Sequence, residues 1–292
     1  MTREYGFLER KTNMESPLKK ELQYYLDMGK EWKALSCVSR NYPPSFSHKL
    51  RSIHGGIKPP ELCIELISGF ANNSTNILDP FAGAGSSLIA ASILNKKATG
   101  IDINSLWSDI YHKVCQENNI LTQKFLIGDS EHVLKKLSDS KFDLVLTDVP
   151  YFNMDKLPKT RGKFSRAGEK SLEKLHSSLN KFNSEEYKSK SQWINKLTNV
   201  FNNIIPITKE SSLFIIFIGN MYRNFEKSKN SSKKIGKYLS LSSELSYSLK
   251  KLGLKMIKEI VWIDPGKKLG IYGYPYVFIP SILDQRILIF QK

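Results

Sequence analysis

The sequence predicts an α/β protein built on an open, mostly parallel sheet. Three observations carry that expectation: short apolar runs ending in Asp or Gly, helical patterns set between them, and a two-glycine turn where the first run meets its helix. With 292 residues, 40% of them hydrophobic, the chain can bury one substantial core. No stretch reaches the roughly eighteen apolar residues a membrane helix needs. With no signal peptide either, the expected location is the cytoplasm. Cys37, Cys63 and Cys115 are scattered with no Cys-x-x-Cys or His/Cys cluster, so reduced thiols and no metal site are expected.

In chain order, Pro59 and Pro60 stand at the start of a helix with an apolar face running to Ile67. Ile77 and Leu78 end a strand, Gly83 and Gly85 turn the backbone, and Ser86 to Leu94 reads as a helix. A second strand ends at Gly100-Ile-Asp-Ile103, a third runs from Lys124 to Ile127 into Gly128-Asp129-Ser130, and a fourth, from Leu144, ends at Asp148. Ser212 to Gly219 is a buried strand, Tyr238 to Leu252 a helix closed by Gly253, and Met256 to Ile263 and Arg286 to Phe290 are final strands. Residues 1–40 are expected to form a helical extension, with Leu22, Tyr25, Leu26 and Trp32 packing onto the core or a partner.

Strand, glycine turn and helix start together make a pocket for a nucleotide-like molecule. The turn lacks the third glycine of the dinucleotide fingerprint and the Gly-Lys-Ser/Thr of phosphate loops, which argues against a kinase or ATPase. An acid about twenty residues after such a turn accepts from ribose hydroxyls, which nominates Asp102; Asp129, ending the next strand, is the candidate for an adenine amino group.

Asp79, Pro80, Phe81, Gly83 and Gly85, followed about sixty residues later by Asp148-Val149-Pro150-Tyr151, resemble the S-adenosylmethionine-dependent amino-methyltransferases acting on adenine N6 or cytosine N4 in DNA. The resemblance covers residues 41–292 and implies a Rossmann-like class I methyltransferase fold. That fold has seven strands, mostly parallel with an antiparallel last strand, and helices on both faces. It implies S-adenosylmethionine as cofactor, with Ser86, Ile103 and Ser130 joining the residues above in its pocket. His54 and Lys58, in a segment similar to the family's His and Lys-Pro-Pro stretch, become further contacts near the methionine moiety.

An exocyclic amine conjugated to its ring is a poor nucleophile and gains reactivity when its N–H groups donate to acceptors. In the family these are the first side chain of the tetrapeptide, here Asp148, and the carbonyl of the next residue, here Val149; the last residue, Tyr151, stacks on a base flipped from the helix. Val149 departs from the family's usual proline. The carbonyl survives the change, and Pro150 still biases the preceding residue toward extended backbone. No cysteine stands in a Pro-Cys setting, so C5 chemistry is not expected.

Net charge is +16, with ten Lys/Arg against five Asp/Glu in 152–190 and six against one in 221–238. Both segments follow strands expected to end on the ligand edge, which points to phosphate contacts with double-stranded DNA. Lys156, Lys159, Arg161, Lys163, Arg166 and Arg223 are the candidates, and 152–190, 220–237 and 264–284 are the candidate recognition loops. Adenine N6 is the preferred target, ahead of cytosine N4. An RNA amino-methyltransferase and a non-catalytic partner subunit are the alternatives, with a restriction endonuclease as functional partner and a homodimer compatible with the chain.

Overall fold

The computed structural model describes residues 16–137, 141–152, 187, 189–224, 236–266 and 284–292, with backbone alone at 16–20, 222–224, 236 and 237. Helices are α1 (Ser16–Glu31), α2 (His48–Arg51), α3 (Pro60–Phe70), α4 (Ser86–Ile93), α5 (Ser105–Glu117), α6 (Ser130–Val133), α7 (Lys190–Ile204) and α8 (Leu241–Lys251). Strands are β1 (Cys37–Ser39), β2 (Asn76–Asp79), β3 (Lys97–Asp102), β4 (Lys124–Ile127), β5 (Phe142–Asp148), β6 (Thr208–Ile218), β7 (Met221–Asn224), β8 (Gly236–Leu239), β9 (Lys255–Ile263) and β10 (Asp284–Gln291).

Among the described residues the main sheet has eight strands, in the order β1-β9-β10-β6-β5-β2-β3-β4. β10 runs antiparallel to both β6 and β9, and every other pairing is parallel. The eighth strand is β1, which pairs Cys37, Val38 and Ser39 with Val261, Trp262 and Ile263. Seven were expected, because a three-residue strand with one buried side chain shows no period in the sequence. The helix expected from Tyr238 begins at Leu241, since Gly236–Leu239 pairs with β7 in a separate two-stranded ribbon.

Alternation along each strand sorts side chains onto two faces. Ile77, Leu144, Leu146, Ile215, Phe217, Ile287 and Ile289 pack with residues of α3, α4 and α5. Leu78, Val145, Phe214, Ile216, Leu288 and Phe290 point the other way, against α7 and α8. α1 lies outside α3, and the two cross at Gly29 and Gly69, where a Cβ on either would run into the other helix's backbone.

β2 pairs with β3 on one side and β5 on the other, so the strand order reverses between β2 and β5. Open α/β sheets bind ligands at the carboxyl ends of strands flanking such a switch point. Asp79 ends β2 and Asp148 ends β5.

Candidate active site

The loop after β2 is shaped by buried hydrogen bonds. Asp79 Oδ1 accepts from the Phe81 amide at 3.1 Å and the Thr147 hydroxyl at 2.7 Å, and Oδ2 accepts from Ser87. Burial pushes the Asp79 carboxyl up to about 6, against the pull of the Ser87 and Thr147 donors. Asp79 therefore shapes the loop and ties it to β5.

Gly83 and Gly85 have φ of 48° and 79°, in the left-handed region that favours glycine. A Cβ at Gly83 would come 2.9 Å from His54 Nε2, and one at Gly85 would run into the Tyr111 ring. The Gly83 amide donates to Asp102 Oδ2 at 2.9 Å and the Asn104 amide to Oδ1 at 2.9 Å. Burial raises the Asp102 carboxyl to about 6, opposed by those amides. Ile103 and Ile127, at the ends of β3 and β4, are apolar yet 53% and 56% exposed, leaving open apolar surface beside Asp102. Two left-handed glycines, a carboxylate at the next strand end and that surface fit the ribose and adenine of S-adenosylmethionine.

Asp129, the expected adenine acceptor, also has partners within the chain. It caps α6 by accepting from the Glu131 amide at 2.9 Å, and its Oδ2 is held by Lys196 Nζ at 2.7 Å. Burial pushes its carboxyl up, but Lys196 and the Glu131 amide outweigh that and hold it below the usual range. Ser130 is committed as well, donating to the Pro80 carbonyl.

His54 tilts against Trp107 with ring centroids 4.6 Å apart. Lys58 is held at both ends: its ammonium pairs with Asp148 Oδ2, and its carbonyl accepts from Ser86 Oγ at 2.6 Å and Arg51 at 2.8 Å. Arg51 is 1% exposed, and burial lowers its guanidinium to about 10.

In the tetrapeptide, the Tyr151 hydroxyl donates to Asp148 Oδ1 at 3.0 Å. Burial first and Asp148 second push that phenol well above its ordinary value. Val149 buries its side chain, and its amide donates to the Phe217 carbonyl at 3.3 Å, a bond proline could not make. Trp193 on α7 donates its indole N–H to the Pro150 carbonyl at 2.8 Å.

The structure thus brings together Asp79, the glycine loop, Asp102, Lys58, Asp148 and Tyr151. Arg51, Trp193 and Lys196 escaped the sequence reading. The spacing of Trp193, Leu197, Val200, Phe201 and Ile204 would have revealed the helix, but nothing local names the indole's partner. Lys156, Lys159, Arg161, Lys163 and Arg166 lie outside the described residues, as does the Arg223 side chain.

Residues 9–113 match the family model described as DNA methylase. A tRNA (guanine(10)-N2)-dimethyltransferase of Pyrococcus abyssi (strain GE5 / Orsay) is 26% identical over 121 residues, 41% of this chain. The match spans only 36% of that relative's length. Among solved structures, TrmN from Thermus thermophilus is 13% identical at a TM-score of 0.46, covering 80% of this chain and 48% of its own. A second Thermus thermophilus protein, assigned as a DNA modification methylase and solved with S-adenosyl-L-methionine, is 16% identical at a TM-score of 0.33, covering 56% of this chain and 53% of its own. Over that matched segment, which contains the whole glycine loop, the chain is similar to the family described as DNA methylase.

Proposed function

We propose that the chain methylates the exocyclic amino group of a base flipped out of double-stranded DNA, with adenine N6 the first choice and cytosine N4 the second. The observation that supports this most is the placement of Asp148. It ends β5 at the switch point, one strand from the loop held by Asp79, and carries Tyr151 on its carboxylate.

When bound, S-adenosylmethionine supplies an electrophilic methyl group. Gly83, Gly85 and Asp102 hold that cofactor. Asp148 accepts one N–H of the target amine and the Val149 carbonyl the other, drawing electron density onto the nitrogen; Tyr151 offers its ring to the base. These residues act by positioning and hydrogen-bond acceptance, with no covalent enzyme intermediate. β5 and β6 are parallel, so the basic segments that follow them leave from the same edge as Asp148, where phosphates would lie.

An RNA amine is the second reading, favoured by the tRNA-modifying relative named above. If DNA is the target, a restriction endonuclease is the functional partner to seek in the cytoplasm, and gel filtration tests for a homodimer.

The test is expression in a methylation-free host, followed by mass spectrometry of nucleosides from DNA and RNA, with Asp148→Ala as control. N6-methyladenine in DNA from the wild type alone is the expected result. A mark confined to RNA selects the second reading, and an equal mark from Asp148→Ala sinks the assignment.

A further inference from the structure

Lys58 is 6% exposed, and a buried ammonium persists only where charge and hydrogen bonds compensate it. Its main chain is anchored through its carbonyl, which receives the Arg51 guanidinium and the Ser86 hydroxyl at the start of α4. Pro59 follows and restricts the backbone at Lys58 itself. From that fixed base the side chain crosses 90 residues of sequence to pair with Asp148. There its Nζ lies over the Phe217 ring, 5.5 Å from the centroid, and over the Tyr151 ring, 5.9 Å from the centroid.

The two carboxylate oxygens of Asp148 are thus addressed from different elements: Oδ2 by Lys58 before the cofactor loop, Oδ1 by the Tyr151 hydroxyl within the tetrapeptide. Two such donors leave little torsional freedom. A carboxylate has about four lone-pair sites, so the group can hold both and still accept an amine N–H. The Asp148 side chain is 24% exposed, which leaves it reachable.

We propose that Lys58 is a positioning residue for methyl transfer, fixing the Asp148 carboxylate in the orientation that receives the target amine. This rests on the amino-methyl transfer proposed above. It separates Lys58 from the residues that hold the cofactor, although both lie in the segment before the loop. The ammonium stands where the reaction needs an oriented acceptor and contributes no bond to the methyl donor.

The experiment compares wild type, Lys58→Met, Lys58→Arg and Asp148→Ala for turnover on the nucleic acid marked in cells, and for S-adenosylmethionine Kd by calorimetry. Lys58→Met should lower kcat by about tenfold or more with Kd within about twofold, and Lys58→Arg should recover a large part of the loss. Turnover within about twofold of wild type in Lys58→Met overturns the proposal. So does a loss confined to cofactor Kd, which would make Lys58 a cofactor ligand. Unchanged turnover in Asp148→Ala overturns the parent reading instead.

A measurement without substrate guards against a purely catalytic misreading. Melting temperatures of Lys58→Met, Asp148→Asn and the double variant should be non-additive, because the two side chains share one contact. Additive shifts would show that the pair does not form.

Discussion

Trp193 and Lys196 stand one turn apart on α7 and grip opposite ends of the site: the indole holds the Pro150 carbonyl at 2.8 Å, and the ammonium holds Asp129 at 2.7 Å and Glu131 at 2.9 Å. A single helix face therefore spaces the tetrapeptide from the β4 turn.

Trp193→Phe keeps most of the buried ring and removes only the donor. The Pro150 carbonyl loses its partner, at a cost of about 1–3 kcal/mol. We expect a matching drop in denaturant stability and a several-fold loss of kcat with cofactor Kd unchanged. Wild-type kcat in a destabilised variant would show that the bond serves folding alone.

Val149→Pro tests the family's usual residue. It deletes the 3.3 Å bond from the Val149 amide to Phe217, costing about 1 kcal/mol. The Val149 carbonyl remains, so turnover should be retained while Tm falls. Abolished turnover would mean that this site has been built around the amide.

A falling pH profile of stability is expected between about pH 4 and 6. Asp79 and Asp102 both rise from 3.8 to about 6 on folding, mainly through burial. The folded chain then binds more protons than the unfolded one in that window, so their contribution is full below the unfolded value and is lost as pH climbs through the folded one. Asp129 and Asp143 are shifted down, and their contribution fades only at lower pH. Asp79→Asn can keep the Phe81 and Thr147 donors while removing one titration, which should flatten the slope by up to about 3 kcal/mol across the window. Urea unfolding at successive pH values reads it, and an unchanged slope refutes it.

Gly69→Ala ought to favour the helix by about 1 kcal/mol on propensity. The new methyl meets Gly29 across the α1–α3 crossing, and overpacking of this kind costs about 1–3 kcal/mol. We expect a net loss of Tm; a gain would mean that α1 is free to shift.

The parts legible in the sequence are those whose cause is local. β2 and β5 announce themselves as apolar runs closed by Asp79 and Asp148, and the glycines between β2 and α4 are required by their own φ. Where the cause is distant, the chain is silent: the sequence offers Lys58 as a contact near the methionine moiety and Asp129 as an adenine acceptor, but names neither Asp148 as the partner of the first nor Lys196 as the partner of the second. β1 is too short for any period, and its partner Trp262 lies more than two hundred residues away.

The hydrogen bond from Thr147 to Asp79 has a thermodynamic consequence. In the proposed reaction the glycine loop serves the cofactor and β5 serves the amine; this bond joins the two, so free energy spent reshaping the loop alters the affinity for the second ligand. Linkage makes that influence mutual and equal in size. The two substrates should therefore bind cooperatively or antagonistically, and Thr147→Val, which breaks the bridge without touching either ligand's contacts, should bring their binding constants closer to independence.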